Sequence, residues 1–309
     1  MVKYLLLCFI LIFTISCNKE DFETYHFFGL GTLIDITITE KESDKIPLII
    51  NYINQLSDNI LRGENNINNA LINEPVEISE DLAYIYKRAL FYNNISKAYN
   101  PAIYTILNLY GFSEGPYKIP DNKSLKDAEK ISYFNNLILN DNKIYKKENI
   151  KVDFSANAKG YVVDKTANYM KSLNIYNFIL NIGGDLYVSG DKNSRLFNIG
   201  IKSPEKNVLN IVKLKNKAVA TSGSYERYFT AYGKKYNHIF SGTNFLPDEK
   251  YISLSVIAEN TETADGFATL FYLLDIDKIK KYCKMYNVAV LILTNERKTV
   301  KLCNWEQYE

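Results

Sequence analysis

The sequence predicts an α+β fold, with mixed or antiparallel sheets packed against helices. Short runs rich in β-branched and aromatic residues, such as residues 251–259, are typical of strands. Apolar residues recur at helical spacing in other segments, such as residues 49–60. Two short-looped strand pairs, at residues 137–145 and 288–302, are typical of β-hairpins. The chain shows no internal repeat and no clean domain linker, so we expect one domain at residues 28–309.

The N-terminal half of this domain is predicted from turn residues, caps and apolar spacing. Two glycines flanking Leu30 mark a turn beside an alternating strand, and Ser79 is a typical helix cap. Asparagine is abundant at residues 62–73, which favours a loop. In chain order we predict a strand within 28–39, a helix at 49–60, the loop at 62–73, a helix at 79–98, an apolar segment at 101–112, the hairpin at 137–145 and a strand at 150–154.

The C-terminal half alternates β-branched runs with three helical segments. Glycines at 183 and 184 interrupt one apolar run and indicate a turn within it. In chain order we predict a helix at 157–173, an interrupted strand at 177–188, strands at 197–201, 208–213, 218–221 and 251–258, a helix from residue 265, a helix at 276–285 and the final hairpin.

The amino terminus is typical of an export signal. Lys3 precedes an almost unbroken apolar run at residues 4–15, which is too short to span a bilayer. Ser16 then precedes Cys17, as at a lipoprotein cleavage site, although Thr14 stands where leucine is usual. We therefore expect a signal peptide at 1–16, lipidation at Cys17, a linker at 17–27, and an exported protein anchored by lipid on the periplasmic side of the membrane. The alternatives are an ordinary secretory signal and an uncleaved anchor.

Composition and spacing exclude two classes of ligand. Lys and Arg number 37 against 35 Asp and Glu, with no basic cluster, so nucleic acid is not expected as a partner. Glycines 29 and 31 do not form a dinucleotide-binding motif, because Ile34 stands where a third glycine is needed. Cys283 and Cys303 lack metal-like spacing and could form a disulfide or remain two buried thiols.

The hexapeptide Ala264–Thr269 presents two oxygen-bearing side chains together. Asp265 and Thr269 are four residues apart, which places them one turn apart on one helix face. A carboxylate and a hydroxyl are ligands of the kind that Mg²⁺ prefers. They would lie at a strand-to-helix junction, where backbone N–H groups can face an anion. The alternative is that Asp265 only caps the helix.

Three further segments could carry chemistry, each with an ordinary structural alternative. Asp153 and Lys159 flank another strand-to-helix junction, which could contact a sugar, a base or a phosphate, or could be a capped helix with a surface lysine. The Thr-Ser-Gly at 221–223 could contact a phosphate or form a plain turn. His238 could act as a general base near neutral pH, or could be structural.

The order of these segments resembles that of the ApbE-type family, the FAD:protein FMN transferases, and implies an ApbE-like fold. Six short motifs occur in the family's order and together span nearly the whole mature chain. Export with a lipid anchor is also usual in the family. The motifs are residues 30–32 (LGT), 153–164 (DFSANAKGYVVD), 181–185 (NIGGD), 220–227 (ATSGSYER), 238–239 (HI) and 264–269 (ADGFAT).

The resemblance implies that the chain transfers FMN from FAD to a threonine hydroxyl of an acceptor protein and releases AMP. His238 would be the catalytic base. Mg²⁺ bound to the FAD diphosphate would be held by Asp265, Thr269 and the backbone carbonyl of Ala156. The acceptor would carry a Ser/Asp-Gly-Ala-Ser/Thr-x-Ala-Thr motif, often within an electron-transporting membrane complex. The FAD pocket would be lined by the residues at matching positions, which are Leu30, Asn59, Asn100, Pro101, Ala102, Asp153, Lys159 and Ile239.

The chain departs from the family pattern at several of these positions. Leu30 stands where methionine is usual, and Asn59 stands where tyrosine is usual. Tyr-Asn-Pro-Ala at 99–102 replaces Phe-Asp-Pro-Thr, and Ser241-Gly242 replaces an Asp-Pro pair. Loss of an aromatic lid at Asn59 would admit water to the diphosphate, so we expect FAD hydrolysis to FMN and AMP beside transfer. The alternatives are an enzyme that is mainly an FAD pyrophosphatase, and a non-catalytic FAD-binding lipoprotein that scavenges flavin or carries electrons.

Overall fold

An eight-stranded antiparallel sheet forms the centre of the computed structural model, which describes residues 20–113, 115–205 and 207–309. The strands of this sheet and of three smaller ones are, in chain order, β1 (Phe22–Gly29), β2 (Thr32–Thr39), β3 (Val76–Glu77), β4 (Leu137–Asn140), β5 (Lys143–Lys146), β6 (Phe178–Ile182), β7 (Asp185–Ser189), β8 (Phe197–Lys202), β9 (Val208–Leu214), β10 (Lys217–Gly223), β11 (Tyr228–Ala231), β12 (Lys234–Asn237), β13 (Ser253–Ala258), β14 (Ala289–Leu293) and β15 (Thr299–Leu302).

The strands of the large sheet follow the order β1-β2-β6-β7-β10-β13-β14-β15. Every neighbouring pair in it is antiparallel. Smaller antiparallel sheets are formed by β3-β5-β4, β8-β9 and β11-β12. The predicted α+β class is confirmed, and the described sheets are antiparallel throughout.

Helices cover one face of the sheet and surround the main core. All six residues of β13 are buried, because α6 packs on β10 and β13 from that face and a second apolar cluster covers the other. The helices are α1 (Ile46–Asn69), α2 (Glu80–Ile95), α3 (Tyr104–Leu109), α4 (Asn122–Ile131), α5 (Ser155–Ser172), α6 (Thr261–Tyr272) and α7 (Ile276–Met285), with 3-10 turns at Glu40–Lys45, Pro101–Ile103, Phe134–Asn136 and Trp305–Tyr308.

Two predictions about the N-terminal half are wrong. β1 begins at Phe22 and pairs with β2 along its whole length, so the predicted linker at 17–27 extends no further than Asp21. The predicted loop at 62–73 is instead largely helical, since α1 continues to Asn69. Buried Ile60 and Ile67 keep the apolar face of α1 in phase, and this packing outweighs the low helix propensity of the asparagines.

Residues 150–154 do not form the predicted strand. Their alternating side chains are buried as expected, but their backbone groups pair with neighbours outside any sheet. Val152 N–H donates to the Asn68 side chain (2.7 Å), and Phe154 N–H donates to Glu64 (3.1 Å). The predicted alternation of burial is therefore confirmed, but side chains of α1, rather than a neighbouring strand, accept from the N–H groups of Val152 and Phe154. Neither α4 nor the β11-β12 hairpin was predicted.

The predicted signal peptide at 1–16 and the lipidation site Cys17 lie outside the described residues. Within residues 20–309, apart from 114 and 206, no helix is long and apolar enough to cross a membrane.

A disulfide joins the end of the chain to α7. Cys283 lies in α7 and Cys303 follows β15, with their Cα atoms 6.1 Å apart. Because the bond closes a loop between residues 20 apart, its removal should lower the free energy of unfolding by about 3 kcal/mol. We expect urea denaturation to show this loss for Cys303→Ser, and to show the same loss for the parent after reduction. Equal stability of Cys303→Ser and the oxidised parent would contradict the bond in solution.

Candidate functional site

The closest approach of α5 and α6 places two of the predicted ligand positions side by side. A Cβ at Gly160 would lie 2.5 Å from the Thr261 carbonyl oxygen and 2.8 Å from Asp265 Cβ, so the crossing requires glycine. Gly160 N–H donates to Asp265 Oδ2 (2.9 Å). In an α-helix the same N–H faces the carbonyl four residues earlier, which is that of Ala156. The Asp265 carboxylate and the Ala156 carbonyl therefore meet at one amide.

Asp265 does not cap its helix. α6 begins at Thr261, and Asn260 is its N-cap, accepting from Thr263 N–H (2.9 Å). The predicted start at residue 265 is thus wrong by one turn, and Asp265 lies in the second turn. Thr269 follows one turn later, with its hydroxyl 3.2 Å from the hydroxyl of Ser222 on β10. The capping alternative for Asp265 is excluded.

Two buried carboxylates share one lysine beside this crossing. Asp185 and Asp265 are only 2% and 4% exposed, and Lys159 pairs with Asp185. Burial raises the pKa of Asp265 well above its usual range, and the nearby Asp185 charge raises it further. Burial alone would lower the pKa of Lys159, but Asp185 and then Asp265 outweigh it, so that pKa is raised. The site is short of positive charge.

This donor set fits a hard divalent cation. A carboxylate, a hydroxyl and a backbone carbonyl are oxygen ligands of the kind that Mg²⁺ accepts. A cation would also relieve the unfavourable burial of the Asp265 charge. Among the described residues, no three His, Cys, Asp or Glu side chains converge on one point, so most ligands here would have to be neutral oxygens. The combination of Asp265, Thr269 and Ala156 has that character.

The turn at Leu30 lies at the same end of the sheet. Leu30 has a left-handed backbone (φ 55°) between β1 and β2 and packs against the main core. A Cβ at Gly183 would lie 2.7 Å from Thr32 Oγ1, so the β6-β7 turn closes directly on the β1-β2 turn. Asp185 begins β7 and reaches Lys159 from there. The structure thus brings Leu30 to the side of the carboxylate cluster.

A second wall of the site comes from the loop before α5. Asp153 N–H donates to the Pro101 carbonyl (2.8 Å), and its carboxylate accepts from Ser155 N–H (2.8 Å). Asn100 is buried, with its side chain donating to the Ser132 carbonyl (2.8 Å) and accepting from Ala102 N–H (3.0 Å). Ala102 is fully buried. Residues 100–102 therefore meet Asp153, but the side chains of Asn100 and Ala102 are committed to internal contacts.

His238 is held in a form that can accept a proton. It follows β12 directly and is partly buried, and its Nδ1 lies 3.2 Å from the Arg227 carbonyl oxygen. A carbonyl only accepts, so Nδ1 carries the proton and Nε2 keeps its lone pair. Burial, and then the charges of Arg227 and Lys159, lower the pKa of His238 to about 4. The imidazole is therefore neutral near pH 7. Ile239 beside it is buried, and its N–H donates to the Asn237 side chain (2.8 Å).

Asn59 belongs to α1, which passes along one side of this region. The Asn54 side chain lies 3.7 Å from a Cβ built on Gly29, and Glu64 accepts from Phe154 N–H (3.1 Å). Asn59 is exposed and lies midway between Asn54 and Glu64 in sequence, but a spacing of five residues turns its side chain to a different face of the helix from either. The stretch of α1 that carries it therefore runs from the Leu30 turn to the start of α5.

Sequence reasoning missed three acidic groups. Asp164 accepts from Thr261 N–H (2.7 Å) and Glu262 N–H (2.8 Å), which fixes the first turn of α6 on α5. Asp164 lies four residues after Gly160, one turn along α5, and this spacing could have indicated that it faces the same neighbouring helix. Glu64 lies beside Asp153, and burial, followed by that charge, raises its pKa to about 8. Glu64 lies in the segment predicted as a loop, and Asp164 and Asp185 were identified only as members of the motifs at 153–164 and 181–185.

The chain is similar to known proteins of one family. The model of the ApbE family matches residues 30–292. The FAD:protein FMN transferase of Haemophilus influenzae is 28% identical over 289 residues, which cover 87% of this chain and 83% of that protein. The FAD:protein FMN transferase of Vibrio cholerae serotype O1 is 28% identical over 229 residues, covering 71% and 69%.

Solved structures share the fold. The ApbE protein of Thermotoga maritima superposes with a TM-score of 0.84 at 24% identity, over 94% of this chain and 99% of that one. The flavin transferase ApbE from Vibrio cholerae superposes with a TM-score of 0.80 at 23% identity, over 94% and 100%. Since the family model covers most of the chain, the protein belongs to the ApbE family.

Proposed function

We propose that this chain is an enzyme that transfers FMN from FAD to a threonine hydroxyl of an acceptor protein and releases AMP. Its relatives in the family carry the name FAD:protein FMN transferase, which supports the flavin-transfer part of the proposal. The observation that carries it is the convergence of Asp265 and the Ala156 carbonyl with a half-exposed Lys159, near a neutral His238. Phosphoryl-type transfer needs positioning and charge neutralisation of this kind.

The carboxylate cluster would bind Mg²⁺ and the FAD diphosphate. Asp265, Thr269 and the Ala156 carbonyl would hold the ion, which supplies Lewis-acid neutralisation of the phosphate oxygens. Lys159 is positively charged and oriented by Asp185, so it would add a second positive group to the same diphosphate. Leu30 and Asp153 would contact other parts of the dinucleotide from the two walls of the site.

His238 would take the proton of the acceptor hydroxyl. Its Nε2 lone pair would accept the threonine proton, and the threonine oxygen would bond to the FMN-side phosphorus. The bond from that phosphorus to the bridging oxygen would break, and AMP would leave with that oxygen. A positioned base of this type contributes roughly 10²–10⁴-fold to a rate.

The proposal places the enzyme outside the cytoplasm, held by lipid at Cys17 on the periplasmic side of the membrane. The disulfide between Cys283 and Cys303 supports export, because such bonds persist in oxidising compartments. The acceptor would carry the Ser/Asp-Gly-Ala-Ser/Thr-x-Ala-Thr motif in a membrane-associated electron carrier.

One mixture separates the candidate functions. The protein is incubated with FAD, Mg²⁺ and an acceptor domain that contains the motif. Transfer leaves the acceptor fluorescent after denaturing electrophoresis and releases AMP. AMP without labelled acceptor would show a pyrophosphatase, and FAD retention without AMP would show a flavin-binding lipoprotein; either result contradicts the transfer proposal.

Asn59 makes FAD hydrolysis a second expected activity. It is exposed on α1, and an asparagine there cannot cover a bound flavin as an aromatic ring could. Asn59→Tyr should slow acceptor-independent AMP release by about tenfold, since an added ring would exclude water from the diphosphate. The same change at exposed Asn51, two turns earlier on α1, should have no effect. AMP release from Asn59→Tyr at the parental rate would contradict this role.

A further inference from the structure

The turn of the β11-β12 hairpin carries a tyrosine, Tyr232, whose side chain is almost entirely exposed to solvent. Tyr232 is 97% exposed. It occupies a left-handed backbone (φ 49°) before Gly233 (φ 72°), a pair of positions where hairpins favour asparagine and glycine. A bulky side chain in this conformation is uncommon and points to a role outside the fold.

A stack of aromatic rings fixes the hairpin to the rest of the domain. The Phe229 ring lies between those of Tyr117 and Tyr236, with centroid distances of 5.1 and 5.2 Å and planes nearly parallel (12° and 13°). Tyr236 also contacts Tyr110 at the edge of an apolar cluster. These ring contacts hold the hairpin against the rest of the domain, so its exposed tip, which carries Tyr232, has a defined position.

The hairpin surface is aromatic and positively charged. Residues 228–237 contain two lysines and no acidic residue. Lys234 and Lys235 are adjacent on β12, so they project from opposite faces of the hairpin. Lys234 is exposed and lies 5.5 Å from the ring centre of Tyr236. Lys235 is partly buried, lies 4.4 Å from the ring centre of half-exposed Tyr228 and donates to Ser224 Oγ (3.4 Å). Tyrosine is enriched at protein-binding surfaces, and the positive charge of the two lysines complements an acidic partner.

This surface is continuous with the proposed catalytic base. His238 follows β12, and its N–H donates to the Arg227 carbonyl (3.2 Å), which closes the base of the hairpin. At about 3.3 Å per residue, the tip lies no more than about 20 Å from the histidine. A protein whose threonine reaches His238 would therefore also reach the hairpin.

We propose that the β11-β12 hairpin is the docking surface for the acceptor protein, and that the acceptor presents acidic residues beside its target threonine. The inference rests on the proposed transfer function. Tyr232 would bury its ring against the acceptor, and Lys234 and Lys235 would pair with the acidic residues. FAD binding and attack by water need neither contact.

Steady-state transfer by the full chain tests this surface. The probes are two soluble acceptor domains with an Asp-Gly-Ala-Thr-x-Ala-Thr segment, one flanked by glutamates and one by glutamines. Tyr232→Asn suits the turn and should raise the KM for the acidic acceptor about tenfold. Lys234→Glu with Lys235→Glu should do the same, and acceptor-independent AMP release should not change. Tyr176→Asn, at an exposed position just before β6 and outside the hairpin, is the matched control.

The outcomes are distinct. An unchanged KM in both hairpin variants, with transfer by the parent intact, would overturn the docking surface alone. Equal KM for the two acceptors with the parent would overturn the acidic partner. A change from dimer to monomer in Tyr232→Asn would assign the surface to a second copy of the chain and overturn the proposal. AMP release without transfer to either acceptor by the parent would overturn the proposed function, and the docking surface with it.

Discussion

Asp265→Asn should abolish Mg²⁺-dependent AMP release, with a loss of about 10³-fold or more. The substitution keeps an oxygen that can accept from Gly160 N–H, so the crossing of α5 and α6 should survive. It removes the only carboxylate of the proposed ion site. Because burial and Asp185 disfavour the Asp265 charge, the metal-free variant should unfold at the same temperature as the parent or higher.

A thermal shift provides a readout that does not depend on turnover. Mg²⁺ should raise the unfolding temperature of the parent and leave that of Asp265→Asn unchanged, because only the native parent binds the ion. Asp277→Asn, at an exposed position on α7, should behave as the parent in both assays. AMP release by Asp265→Asn at the parental rate would show that this side chain is structural and does not bind the ion.

His238→Ala should slow transfer by roughly 10²–10⁴-fold while FAD binding is retained. The other histidine offers a matched control: His26 is exposed and pairs with Asp35 (2.8 Å), so His26→Ala should transfer at the parental rate. Fluorescent labelling of the acceptor measures both variants.

The pH profile follows from the state of the imidazole. Its proton must be absent at Nε2 for catalysis, and its pKa is lowered to about 4. The rate should therefore stay level from pH 8 to about 5 and fall toward pH 4. The histidine of the unfolded chain has the higher pKa, about 6.5, so protonation below that pH favours the unfolded chain. The free energy of unfolding should therefore fall as the pH is lowered from about 6.5 to about 4. A rate that halves near pH 6.5 would contradict the lowered pKa.

Local rules predicted spacing within a helix better than they predicted contacts between distant segments. Asp265 and Thr269 share a face because helical spacing is a local property, and their helix was recognised from a few residues. Contacts between segments distant in sequence could not be predicted in this way. Lys159 meets Asp185 only because two turns of the sheet close on each other, and Glu64 reaches Phe154 only because α1 runs past the asparagine-rich segment.

The errors in the fold have the same physical origin. The stretch 62–73 was assigned by composition, whereas buried Ile60 and Ile67 decided its conformation. Residues 150–154 have a strand pattern, but side chains of α1 satisfy their amides. β1 was assigned to a linker because none of its side chains is fully buried, so its sequence lacks the regular apolar alternation of a half-buried strand.

The contact at Gly160 would make assembly of the proposed ion site a by-product of folding. The missing side chain that lets α5 and α6 touch also lets Gly160 N–H reach the Asp265 carboxylate, and regular helix geometry directs the Ala156 carbonyl toward the same N–H. These two oxygens would be in place before the proposed ion arrives, so little of its binding free energy would be lost to rearrangement. A substitution at Gly160 that pushed the helices apart would weaken affinity for the proposed ion and domain stability together.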